Sequence, residues 1–111
     1  MTEDPLQDAF TAFREGDYDI ALRRFRSLAE QGVAGAQYFL GTTYTHTIEE
    51  LGITQNFAEG LKWLRLAANQ GYVLAQYKLG GIYHRGEGVP QDYFEAMNWY
   101  RLDVDGERLQ W

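Results

Sequence analysis

The chain has 111 residues, 45% of them hydrophobic and 23% charged, and no cysteine. That length supports one hydrophobic core and is short for two, while the missing thiols exclude cysteine-ligated zinc, iron–sulfur clusters and thiol catalysis. Ten Lys and Arg against sixteen Asp and Glu leave a formal charge of −6, which repels a phosphate backbone, so nucleic acid is not an expected partner.

No apolar run approaches the roughly eighteen residues that span a bilayer, so membrane insertion is not expected. The opening Met1-Thr2-Glu3-Asp4-Pro5 is acidic where a secretory signal is basic and then apolar. The chain as it stands therefore reads as cytoplasmic, and as periplasmic or secreted if a signal peptide has been removed.

The first unit, about residues 5–32, carries two short helical patterns. Ala9 lies in the first, and the second follows Gly16-Asp17-Tyr18 with Ala21, Leu22 and Phe25 at helical intervals. Asp17 precedes the apolar run, where a short side-chain oxygen can accept from the free N–H groups of the first turn. Ser27, the only serine, lies mid-helix after Arg23, Arg24 and Arg26, without a Gly-x-Ser-x-Gly setting, and reads as a tolerated helix residue. The arginines, with Asp19 and Glu30 nearby, read as a solvated outer face.

The second unit, residues 33–71, opens on a stretch that returns in the third, residues 72–106. Residues 31–44 recur 39 positions later as 70–83, with eight of fourteen identical: Gln31, Gly32, Ala36, Gln37, Tyr38, Leu40, Gly41 and Tyr44 match Gln70, Gly71, Ala75, Gln76, Tyr77, Leu79, Gly80 and Tyr83. A second block, Gly52 to Trp63, recurs 36 positions on as Gly88 to Trp99. The earlier copy thus has a loop three residues longer, around residues 45–51. Asn56 and Asp92 are expected helix caps, with Glu59 and Glu95 at capping-box spacing. Gly32 and Gly71 should close helices in the left-handed conformation. Gly41 and Gly80, facing Gly60 and Ala96, should let the two helices of a hairpin approach closely. Six helices are expected in all. Near the end, Asp103 and Val104 stand where Ala67 and Ala68 do, and this charge argues that stacking stops there. Residues 107–111 read as a cap, with Trp111 able to fold back or to serve a dimer.

The pattern Ala-Gln-Tyr-x-Leu-Gly-x-x-Tyr, a glycine-bearing loop, Gly-Val-Pro-Gln-Asp-Tyr and then Ala-x-x-Trp-Tyr resembles the Sel-one-like repeat family, relatives of tetratricopeptide repeats. The resemblance covers roughly residues 5 to 105, and the first copy looks more like a plain tetratricopeptide unit. It implies an all-α fold, an α/α superhelix or repeat solenoid of about three antiparallel helix pairs, acting as an adaptor that binds other proteins.

Chemistry finds little support. His46 and His84 lie 38 positions apart with no cysteine to assist, a thin basis for a metal site. Asp103, Asp105 and Glu107 lack the further oxygens of a calcium loop. Gly80-Gly81 continues a helix, and Gly86-Glu87-Gly88 forms a turn without the Lys-Ser/Thr of a phosphate cradle. No catalytic residue, cofactor or metal is expected. Most of the seventeen aromatics, including Tyr44 with Tyr83, Trp63 with Trp99, and Tyr18, Phe57 and Tyr93, occupy matched positions and read as inter-helix packing.

The expected binding surface is the concave face lined by the first helix of each pair. Counting from Leu40 and Gly41 places Gly35, Tyr38, Thr42 and Thr45 there, matched by Leu74, Tyr77, Gly81 and His84. Tyr38 and Tyr77 would either form an aromatic ladder for a partner or serve as semi-buried repeat residues. The expected function is a non-catalytic interaction module whose partner is another protein or a peptide, with a basic surface suiting the acidic chain. Three alternatives remain at this level: an inhibitor or immunity-type protein for a secreted effector, a hydrolase related to the β-lactam-acting branch of the family, and a structural oligomer. The assembly expected is a monomer or weak dimer.

Overall fold

Asp4 and Pro5 start the first helix: the Asp4 carboxylate accepts from the backbone N–H of Leu6 at 3.0 Å and of Gln7 at 3.3 Å, and proline suits the first helical position, where no N–H partner is available. The computed structural model describes residues 4–46 and 54–105, with side chains as far as Arg101. The helices are α1 (Pro5–Arg14), α2 (Tyr18–Glu30), α3 (Ala34–Tyr44), α4 (Phe57–Asn69), α5 (Val73–Arg85) and α6 (Tyr93–Asp105), and the described residues contain no strand. The longer loop falls mostly outside the described residues, and the cap at 107–111 with Trp111 entirely so.

The helix ends repeat as the residues do. Gly32, at φ 95°, donates to Ala29 O while Val33 N donates to Leu28 O, and Gly71, at φ 89°, and Tyr72 make the same two bonds to Ala68 O and Ala67 O. This pair of bonds is the Schellman closure, whose left-handed residue glycine takes without strain. Asn56 caps α4 through Glu59 N at 3.1 Å, and Asp92 caps α6 through Phe94 N and Glu95 N.

Two expectations about the caps are corrected. Asp17 stands at the start of α2 but makes no side-chain cap bond, because its ψ of 66° turns it away from the extended conformation of a capping residue. The capping box at Asn56 is left half made. Asn56 N donates instead to Tyr44 O at 2.7 Å, and Glu59 accepts from Trp63 Nε1 at 3.2 Å. Asp92 N likewise donates to Tyr83 O at 2.9 Å, so each cap residue is tied to the end of the preceding helix.

Each helix packs mainly on its neighbours in sequence, forming the pairs α1–α2, α3–α4 and α5–α6 stacked one on the next. The α3–α4 pair meets backbone to backbone: a Cβ placed on Gly41 would lie 2.6 Å from Leu64 Cγ and 3.0 Å from Gly60 O. In the third pair, the atoms nearest a notional Cβ on Gly80 belong to the Tyr100 ring, at 2.6 Å.

Where one core was expected, the buried side chains form two clusters. The first joins Ala9, Ala21, Phe25, Ala36 and Leu40 with Trp63 reaching back from α4, and the second joins Leu61, Leu64, Leu79, Ile82 and Tyr83 with Ala96. A solenoid buries its apolar residues in successive layers between pairs, so its core lengthens with each pair instead of collecting at a centre.

Side chains tie one pair to the next at matched places. Gln37 Nε2 donates to Ala29 O and Gln76 Nε2 to Ala68 O, both at 3.1 Å. Arg26 on α2 donates to the Tyr44 hydroxyl on α3, and Arg65 on α4 does the same to Tyr83 on α5; each guanidinium also lies over its tyrosine ring. Gln70 Nε2 bonds Gly32 O and Gln37 Oε1, both at 2.9 Å. Arg26 is therefore an inter-pair pin, in contrast to the purely solvated role expected of it.

Candidate functional site

The concave positions expected by counting along α3 and α5 separate into three groups. Leu74, Tyr77 and His84 are exposed, Leu74 at 54% and Tyr77 at 59%. Tyr38 and Thr42 are half-buried, and Thr45, Gly35 and Gly81 are buried.

Thr45 faces the wrong way for a groove. Its methyl group lies against Gly60 of α4 and its hydroxyl donates to Thr42 O at 2.7 Å. Ten residues of α-helix turn through nearly three full circles, so a face counted in steps of three and four drifts toward the partner helix by that point. Gly35 lies under Leu6 and the Tyr72 hydroxyl, and Gly81 under the Arg85 guanidinium. That guanidinium is bonded to Glu87, which raises its pKa above the ordinary arginine value.

The aromatic ladder gives way to a different arrangement. Tyr38 meets Tyr72 with ring centroids 5.4 Å apart and packs on the second core cluster, whereas Tyr77 meets Tyr100 of α6 at 5.6 Å. Tyr38 is thus a stacking residue between pairs, and Tyr77 holds the same position in a pair with no described successor. His84 lies 5.5 Å from the ring of Tyr93, and Tyr93, expected to be packed, is 58% exposed.

Among the described residues, six of the nine large exposed apolar side chains are on the third pair, Val73, Leu74 and Tyr77 on α5 and Tyr93, Phe94 and Met97 on α6, while Phe10, Ile20 and Leu66 lie on the other two. Four of these, Val73, Tyr93, Phe94 and Met97, were not expected as surface residues. The departure at Asp103 and Val104 was the available signal, because a pair with no described successor shows its forward face. Isolated apolar side chains on a surface are ordinary, whereas a contiguous cluster marks contact with another molecule.

The other candidates stay apart from one another. Ser27 accepts from Gln31 Nε2 at 3.1 Å in an open groove of about 300 Å³ that Asp8 and Arg24 also line. His46 Nδ1 lies 3.0 Å from Thr42 O. Among the described residues, no three His, Asp or Glu side chains come together as a metal cage would require, and no helix is long and apolar enough to cross a membrane.

Stacked helix pairs joined by one recurring set of bonds define an all-α repeat solenoid. The comparison with known proteins gives the family: the Sel1 repeat model matches residues 34–72 and 73–102, and the chain belongs to the Sel1 repeat family. A sel1-like repeat-containing protein of Acanthamoeba polyphaga mimivirus is 35% identical over 72% of this chain. Protein sel-1 homolog 2 of Rattus norvegicus is 34% identical over 87% of it. The chain spans only 14% of the length of each of these relatives.

Among solved structures, a Sel1 repeat protein from Oxalobacter formigenes has a TM-score of 0.69 at 38% identity, over 79% of this chain and 35% of that one. A protective antigen of uropathogenic Escherichia coli strains that displays an SLR fold has the same TM-score at 35% identity, over 79% and 18% of the two chains. Sel1 repeats generally mediate protein–protein interaction and are generally non-catalytic.

Proposed function

We propose that this chain is a non-catalytic interaction module that binds a peptide or protein partner on the exposed surface of α5, at the end of the inner face, with Leu74 and Tyr77 as anchors. The observation that carries the reading is their exposure, 54% and 59%, beside the exposed Val73 on the same helix. A tyrosine and a leucine one turn apart offer a rigid amphipathic contact at small entropic cost. The acidic chain favours a partner with a basic rim, which adds rate and specificity more than affinity.

A photo-crosslinking amino acid placed at Tyr77 and, in a separate chain, at Ile20 on the first pair tests this in lysate. Ile20 is also exposed, at 39%. A protein adduct at position 77 and none at position 20 supports the assignment. Adducts at 20 alone, or equal adducts at both, would overturn it.

A further inference from the structure

Among the described residues, the third helix pair lacks, position by position, the cover that the second one has. In the second pair, Ala34 and Tyr38 pack against the second core cluster, Gly35 sits beside the Tyr72 hydroxyl, Phe57 lies under Gly88, and Leu61 is only 8% exposed. Tyr72, Gly88 and α5, which supply this cover, all belong to the following unit. The aligned residues of the third pair are Val73, Tyr77, Leu74, Tyr93 and Met97, at 45, 59, 54, 58 and 50% exposure. All five are apolar or aromatic, and all five stand where another helix pair packs.

The opposite end of the stack is built differently. Trp63 is 6% exposed in the first cluster and Trp99 packs on the second, so this position points back at the preceding pair. The first pair has exposed Arg24 there, in an open groove with Asp8, Ser27 and Gln31. That is the polar outer surface of a capping repeat. Stacking it on the third pair would press the charged Arg24 and Asp8 onto Met97 and Tyr77 and strip water from both, a desolvation cost that their mutual attraction need not repay. Head-to-tail association is therefore disfavoured. Apposing two copies of the same apolar face about a two-fold axis matches apolar surface with apolar surface and closes after two chains.

We propose that the forward face of the α5–α6 pair binds the same face of a second copy, giving a two-fold dimer. This rests on the reading of α5 as the contact surface and names a second acidic copy in place of a basic-rimmed partner, so apolar area alone carries the pairing. Each of the two helices has 13 residues, hence about 20 Å of length and 10–12 Å of width. The footprint is about 450 Å² per copy, or about 900 Å² in all, which belongs to weak, transient pairs. Dissociation constants on the order of 10–100 μM are expected.

Sedimentation velocity of the purified 111-residue chain from 1 μM to 1 mM is the test. The expected result is a shift from monomer to dimer with concentration and nothing larger, with dimerisation weakened at least tenfold by Met97→Lys and by Tyr77→Lys and unchanged by Arg24→Glu. Met97 and Tyr77 are half exposed or more, so circular dichroism should show both variants folded, and each checks the other. A monomer throughout, a dimer indifferent to both lysines, or species beyond the dimer that Arg24→Glu disperses would each overturn the proposal. The two readings fail separately. A purified chain that stays monomeric while the crosslinker at position 77 captures a different protein removes the second copy and leaves α5 as the contact surface; no adduct at 77 together with a lysine-insensitive dimer removes both.

Discussion

Replacing Gly41 with alanine should destabilise the solenoid, although alanine is the better helix former. In a helix interior the exchange favours the folded chain by about 1 kcal/mol. Against this, the new methyl group would lie 2.6 Å from Leu64 Cγ and 3.0 Å from Gly60 O. The carbonyl belongs to the α4 backbone, so the two helices must separate, and overpacking of this kind costs about 1–3 kcal/mol. The net loss is about 1 kcal/mol or somewhat more, or roughly 4–8 °C in melting temperature for a domain of this size. Gly81, one residue past the repeat equivalent of Gly41, is the control. The atoms nearest a Cβ there belong to the Arg85 guanidinium, at 3.0 Å, and that long side chain can swing away. Gly81→Ala should therefore raise the melting temperature by a few degrees. Thermal unfolding followed by circular dichroism at 222 nm reads both. Equal shifts of one sign would refute the claim that backbone contact at Gly60 decides the outcome.

Three further outcomes follow from the same geometry. Asn56→Ala should cost about 1 kcal/mol in urea unfolding through loss of its bond to Glu59 N, and Asp17→Ala much less, since Asp17 makes no side-chain cap bond. A double-mutant cycle on Arg65→Ala and Tyr83→Phe should give a coupling of about 0.5–1.5 kcal/mol, from a hydroxyl bond and a ring contact together; additive effects would show that the pin contributes nothing. Gln37→Leu should cost about 0.5–1.5 kcal/mol, because it removes one of the two bonds to Ala29 O, which keeps Gly32 N, and takes Oε1 away from Gln70. Gln76→Leu should cost less, since the Gln76 Oε1 atom is buried with no hydrogen-bond partner.

The helix pairs were legible because the closing glycines and small crossing residues are spelled out at a fixed repeat, and a left-handed residue or a backbone contact leaves little choice of side chain. Gly32, Gly71 and Gly41 are of this kind. The surface was less legible because a repeat position does not say what lies beside it. Tyr38 and Tyr77 are the same residue in the same register, yet one packs under Tyr72 and the other faces outward. Thr45 was misplaced because its register drifts into the seam with α4. Asp17 carries the right side chain for a cap, but the dihedral that aims it depends on how the chain leaves Gly16 in three dimensions. Asp4, by contrast, could have been read as a cap from the proline that follows it.

The contacts within a pair and between pairs are made of different material. Inside the α3–α4 pair, main chain meets main chain at Gly41 and Gly60. Across pair boundaries the polar links are long side chains, Arg26 to Tyr44, Arg65 to Tyr83 and Gln70 to Gly32. Such a molecule has the mechanics of a spring made of stiff plates and soft joints. Under tension or torsion, deformation would concentrate at the joints, where a rotamer change can absorb it, while each plate keeps its shape. Curvature then becomes a property that a bound partner can adjust by small increments, spread over as many joints as its surface touches.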